Sequence, residues 1–77
     1  MKKRNEIPTE QASELIRAYT GFNVKPSEIK WATVEANANI LMYQDARDDT
    51  IWQVRPNGMT SHKGPDAGCF WTDWERR

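Results

Sequence analysis

The stretch Thr50-Ile-Trp-Gln-Val-Arg55, followed by Pro56-Asn57-Gly58, admits few local structures. Trp52 and Val54 alternate with Ile51, Gln53 and Arg55, the period-two pattern of a strand with unlike faces. Proline cannot donate to a ladder and belongs at the strand's end. Asn-Gly supplies the positive φ values of a tight reversal. A tight reversal is therefore expected here, after which Met59 to His62 can return as a short fourth strand.

Two further strands are expected upstream, at about 29–35 and 39–45, with the hairpin strand at about 50–55. Residues 29–45 also read as a helix, with Ile29, Ala32, Ala36 and Ile40 in line, and the sequence does not decide between the two; Trp, Thr, Val, Ile and Tyr favour the strand reading taken here. Ala36-Asn-Ala-Asn39 and Ala46-Arg-Asp-Asp49 suit turns, because asparagine and aspartate tolerate left-handed geometry and bond their own backbone. Taken at simple alternation, Ile29 and Trp31 share one face, and Ala32 and Val34 the other.

Ahead of these lies Pro-Thr-Glu-Gln-Ala-Ser-Glu-Leu-Ile-Arg-Ala-Tyr-Thr-Gly-Phe, residues 8–22. Ala12, Leu15, Ile16 and Tyr19 recur at helical spacing, which predicts a helix at about 9–20. Thr9 is positioned to cap it through its hydroxyl, Glu10 to favour the helix dipole, and Gly21 to end it. Phe22 is then free to fold back onto the last turn. Residues 1–7 read as a flexible tail. The expected fold is α+β in a single domain of residues 1–77: an N-terminal helix laid on an antiparallel meander of three to four strands, with an aromatic C-terminal segment, Cys69 to Trp74, as edge strand or helical turn.

Composition narrows what such a domain can do. With 77 residues it has one small core, and its single cysteine and single histidine exclude an internal disulfide and a four-ligand Cys/His zinc site. Eleven basic residues balance eleven acidic ones, without the basic excess of most phosphate-binding surfaces. No apolar run reaches the ~18 residues of a membrane helix, and the basic start lacks the apolar stretch of a signal peptide, so a soluble, cytoplasmic protein is expected. The lone cysteine points to the same compartment.

Chemistry-bearing patterns are sparse. Cys69 and His62, with Asp66 as orienter, make a weak nucleophile–base pair with no signature around them. Asp45, Asp48 and Asp49 are too closely spaced for a calcium loop. Gly64-Pro-Asp-Ala-Gly68 lacks the Gly-Lys-Ser/Thr ending of a phosphate loop. No enzyme, cofactor or metal is expected.

The four tryptophans carry the functional question. Both faces of the expected sheet hold large apolar groups, and one short helix covers only one. Either Phe70, Trp71 and Trp74 fold back over the second face, or some of the aromatics form a docking patch. In the second case Trp52, Phe70, Trp71 and Trp74 serve as anchors, with Arg55 and Arg76 as rim charges. The expected function is a non-enzymatic protein-binding module, a small adaptor or inhibitor of the bacterial or phage accessory type, acting on a larger protein or complex. Homodimerisation is compatible with this through a sheet edge or the C-terminal aromatics. The alternative is a small single-stranded nucleic-acid binder that stacks bases on Trp31 and Trp52 beside Lys30 and Arg55.

Overall fold

A computed structural model describes residues 4–66 and 68–76. Strand β1 (Arg4–Glu6) leads into helix α1 (Thr9–Thr20). A 3₁₀ turn at Pro26–Glu28 then opens β2 (Ile29–Glu35), and β3 (Leu41–Asp45), β4 (Ile51–Val54), β5 (Met59–Lys63) and β6 (Glu75–Arg76) follow. All six strands form one sheet in sequence order, and every neighbouring pair is antiparallel. The fold is α+β, with six strands where three to four were expected.

The two additional strands lie at the edges. Residues 4–6, read from sequence as part of a tail, pair with β2 in the register Arg4↔Glu35, Asn5↔Val34 and Glu6↔Thr33. Arg4 stitches this edge down: its Nε donates to Thr33 Oγ1 at 3.0 Å and its Nη2 to the Ile40 carbonyl at 3.2 Å. The Ile7 N–H continues the ladder to the Ala32 carbonyl at 3.0 Å. At the other edge Glu75–Arg76 pairs with β5, whereas residues 69–74, expected as strand or helical turn, form neither. Residues 1–3 of the expected tail lie outside the described residues. Both edge strands are short and carry charge, which makes them poor templates for pairing with another copy.

Helix α1 has the predicted bounds, but Pro8 takes the N-cap position that Thr9 was expected to fill, and no side chain caps the helix. Proline's fixed φ provides the extended entry, and the Pro8 carbonyl accepts the first helical bond from the Ala12 N–H at 3.0 Å. Ala12 and Ile16 are fully buried, and Leu15 and Tyr19 pack partly against the same cluster. Gly21 closes the helix at φ 83°, and its N–H bonds the Arg17 carbonyl. Phe22, which follows the cap, is 44% exposed.

The core lies between α1 and one face of the sheet. Leu41, Tyr43 and Val54 are wholly buried there, with Ala32 and Ile29 close to it. Ile29 reaches this face through a β-bulge. The register runs Ile29↔Asp45 and then Trp31↔Gln44, so Lys30 is an extra residue. Ile29 and Trp31 therefore point to opposite sides, contrary to simple alternation: Ile29 is buried beside Ala32, and Trp31 joins Thr33, Met42 and Gln44 on the far side.

The hairpins show why the strands end where they do. The β2–β3 and β3–β4 connections repeat one turn ten residues apart. In each, an acidic residue's N–H bonds the carbonyl five residues on (Glu35 to Ile40, 3.0 Å; Asp45 to Thr50, 2.9 Å). In each, the fourth loop residue is left-handed, Asn39 at φ 56° and Asp49 at φ 62°. Ile40, expected in strand, lies just outside β3, which begins at Leu41. In the β4–β5 hairpin only Gly58 has positive φ, at 90°, and Asn57 does not. Arg55 and Met59 pair across a three-residue loop, with the Gly58 N–H bonding the Arg55 carbonyl at 2.9 Å. That matches a type I turn closed by a glycine bulge, and not the two-residue Asn-Gly reversal.

The β3–β4 turn is also held by charge. Asp45 is 2% exposed. Its Oδ1 accepts the Arg47 backbone N–H at 2.8 Å and Arg47 Nε at 3.2 Å, and its Oδ2 accepts Arg47 Nη2 at 2.9 Å. Arg47 Nη1 also meets Glu28 at 3.0 Å, tying the turn to the 3₁₀ segment. The hydrogen bond to Asp45, then the Asp45 charge, then the Glu28 charge push the Arg47 guanidinium above its ordinary pKa. A raised basic group stabilises the fold fully below its unfolded pKa, so this contribution is constant through neutral pH. Arg47→Ala should lower Tm more than Lys30→Ala, read by thermal circular dichroism. The first removes the guanidinium that pairs with a buried carboxylate, whereas Lys30 and Asp49 have side chains that are both 48% exposed. Equal shifts would mean that water reaches Asp45 readily.

Candidate interaction surface

The segment after β5 runs back along that strand. The Cys69 N–H donates to the Asp66 carbonyl at 3.0 Å. Thr72 then docks beside His62: its N–H donates to the His62 carbonyl at 2.9 Å, and its Oγ1 accepts the His62 N–H at 3.1 Å. The Ser61 hydroxyl donates to the Thr72 carbonyl, and the Thr60 hydroxyl donates to the Glu75 carbonyl at 3.3 Å. A side-chain oxygen takes the place of a ladder carbonyl at Thr72, so the segment is fixed to β5 without being a regular strand.

This anchoring sets where the aromatics lie. The Arg55 guanidinium sits 4.0 Å from the centre of a Trp74 ring, and Lys63 Nζ sits 5.2 Å from the centre of a Trp71 ring. Arg55 and Lys63 alternate with the helix-side residues Val54 and His62, so these contacts belong to the face away from α1. Each cation–π contact contributes about 0.5–1 kcal/mol where solvent reaches it. Trp71 and Trp74 are half-buried, and Phe70 between Cys69 and Trp71 is 89% exposed.

Trp52 lies on the other side. It packs partly against the core beneath the helix, and its ring lies 4.6 Å from that of His62 at 41°. The His62 Nδ1 faces Thr72 Oγ1 at 3.5 Å. Arg76 reaches toward the β4–β5 turn, where Nη1 donates to the Asn57 carbonyl at 3.2 Å. It lines a cleft of about 130 Å³ with Tyr19, Thr20 and Gly58.

The six residues read from sequence as a docking patch are thus distributed over three places. Phe70, Trp71 and Trp74 share one segment, and Trp74 is joined to Arg55. Trp52 is on the helix side, and Arg76 is at the end of the sheet. Lys63 was missed. Its link to Trp71 and that of Arg55 to Trp74 cross 8 and 19 residues of chain, and no local pattern signals them. Trp31 and Trp52 occupy opposite faces, so a nucleic-acid strand lying on one face meets only one of them. Trp31 Nε1–H also donates to Gln44 Oε1 at 2.8 Å.

The other candidate chemistry is engaged locally. Cys69 Sγ lies against Gly64, 2.9 Å from the position a β-carbon would take there. Asp48 Oδ1 accepts the Thr50 N–H at 3.0 Å, while Asp49 pairs with Lys30 and Asp45 with Arg47. Among the described residues no three His, Cys, Asp or Glu side chains converge as a metal-ligand set, and no helix is long and apolar enough to cross a membrane. No family model matches this chain, and comparison with curated proteins and with solved structures finds no match.

Proposed function

We propose that this protein is a non-enzymatic protein-binding module, a small adaptor or inhibitor of a larger protein, that docks through its C-terminal aromatic segment. The observation that carries this reading is Phe70: 89% exposed, next to half-buried Trp71, on a segment hydrogen-bonded to β5. An aromatic ring held bare to water on a tethered segment is unfavourable alone and favourable once a partner covers it. Trp71 and Trp74 would supply the surrounding aromatic area, with Arg55 and Lys63 holding their rings in place. Trp52 is half-buried on the opposite side and plays a smaller part in this reading.

The test is a comparative capture. Wild-type protein, Phe70→Ala and the double variant Trp71→Ala/Trp74→Ala are immobilised and exposed to extract of the source cells. Bound proteins are then quantified by mass spectrometry. A true partner should fall by ~30-fold or more with Phe70→Ala, the loss expected of an anchor worth about 2 kcal/mol. The Phe70→Ala fold should be unchanged by circular dichroism, since that side chain is bare. Recovery that is equal for all three proteins would remove the segment from the function.

A further inference from the structure

We infer that Asn57 is a site of spontaneous deamidation that the folded β4–β5 hairpin keeps closed and that local opening of the hairpin's apex exposes. Asn57-Gly58 is the only Asn-Gly pair in the chain. Glycine has no side chain to hinder attack on the asparagine before it, so this pair is the most reactive of the chain's asparagines once unconstrained. In the reaction the Gly58 amide nitrogen attacks Asn57 Cγ. An N–Cγ bond forms, the Cγ–Nδ2 bond breaks, and the Gly58 amide proton leaves with Nδ2 as ammonia. Water then opens the cyclic imide. Cleavage of the N–Cγ bond leaves aspartate in an ordinary chain. Cleavage at the Asn57 backbone carbonyl leaves isoaspartate, whose chain runs through Cβ and Cγ.

The fold holds both reacting groups in other bonds. Asn57 is exposed, but Gly58 is buried, so the nitrogen that must lose a proton to solvent base is shielded. Its N–H donates to the Arg55 carbonyl at 2.9 Å. Asn57 Oδ1 accepts the Met59 N–H at 3.0 Å. Neighbouring elements fix this geometry. Arg76 Nη1 donates to the Asn57 carbonyl at 3.2 Å. The position of a β-carbon on Gly58 lies 3.0 Å from the Tyr19 carbonyl oxygen at the end of α1. The apex reacts only when it moves off α1 and Arg76, an opening smaller than global unfolding. The two products then differ in consequence. Aspartate keeps an oxygen for the Met59 N–H. Isoaspartate adds a backbone carbon to the three-residue loop and displaces the carbonyl that holds Arg76.

The test incubates the full chain in mildly alkaline buffer, folded and in denaturing urea. Residue 57 is followed by peptide mass spectrometry, with an aspartate-specific protease to separate aspartate from isoaspartate. Deamidation of Asn57 should be at least about tenfold slower in the folded chain than in urea. Arg76→Ala removes the tie to the Asn57 carbonyl without touching the core. It should speed the folded-state reaction about two- to tenfold, the worth of one hydrogen bond, and leave the rate in urea unchanged.

Equal rates in the folded chain and in urea would overturn the closed site. So would reaction of another asparagine ahead of Asn57 in urea. Protection that ignores Arg76→Ala would overturn apex opening as the gate, since global unfolding would then set the rate.

Discussion

Ile16→Ala should destabilise the fold by about 2–5 kcal/mol, the range for emptying a buried aliphatic site that closes only in part. Ile16 is 0% exposed and is the largest fully buried side chain of α1. It packs in the cluster formed with Leu41, Tyr43 and Val54, so its removal opens a void between helix and sheet that neither rigid element can fill. A core of this size supplies only about 3–5 kcal/mol in total. The variant should therefore be largely unfolded or melt some 10–25 °C lower. The neighbouring Leu15→Ala is the control: Leu15 is half-buried and should cost less than half as much. Urea unfolding followed by far-ultraviolet circular dichroism separates the two. Equal losses would mean that α1 sits rotated from the orientation described.

Gly58→Ala should cost about 2–4 kcal/mol, unusually much for a turn residue. Gly58 has φ +90°, a conformation that alone costs an L-residue about 1–2 kcal/mol. A β-carbon there would also stand 3.0 Å from the Tyr19 backbone carbonyl oxygen and 3.1 Å from Arg76 Nη1. The arginine can swing away, but the carbonyl is fixed at the end of α1, so the hairpin must retreat from the helix at further cost. Gly21→Ala isolates the backbone part, because at φ +83° its β-carbon would meet nothing within 4 Å. It should lose about 1–2 kcal/mol by the same unfolding assay. If Gly58→Ala is no worse than Gly21→Ala, the hairpin and the helix end are not in the close contact described.

Much of this fold was legible because much of it is local. Ala12, Leu15, Ile16 and Tyr19 mark the helix by spacing, and Gly21 ends it. The second strand, Ile29–Glu35, has its expected bounds, and Asn39 and Asp49 hold the left-handed positions that their turns require. The repeated turn itself was available in the sequence as an acidic residue, alanine, two residues and then Asn or Asp, at 35–39 and again at 45–49. At five residues and without a hydrophobic period, it gives no signal that strand or helix patterning detects. The candidate site was legible only as composition: the aromatics at 70, 71 and 74 are visible, but which of them face water is not.

The sequence by itself determined the helix, the positions of the turns and the alternation of β3 and β4, since each depends on φ, ψ preferences and side-chain periods within a few residues. Tertiary structure decided the rest. Arg4–Glu6 is too short and too polar to announce a strand; it becomes one because β2, about 30 residues away, offers free backbone groups for it to satisfy. The bulge at Lys30 exists because Ile29 and Ala32 both find cover under α1, and burial of both outweighs regular pairing. Trp52 is drawn toward the core because it lies on the face of β4 that α1 covers, and which strand residues fall under a helix of twelve residues is set only when helix and sheet meet.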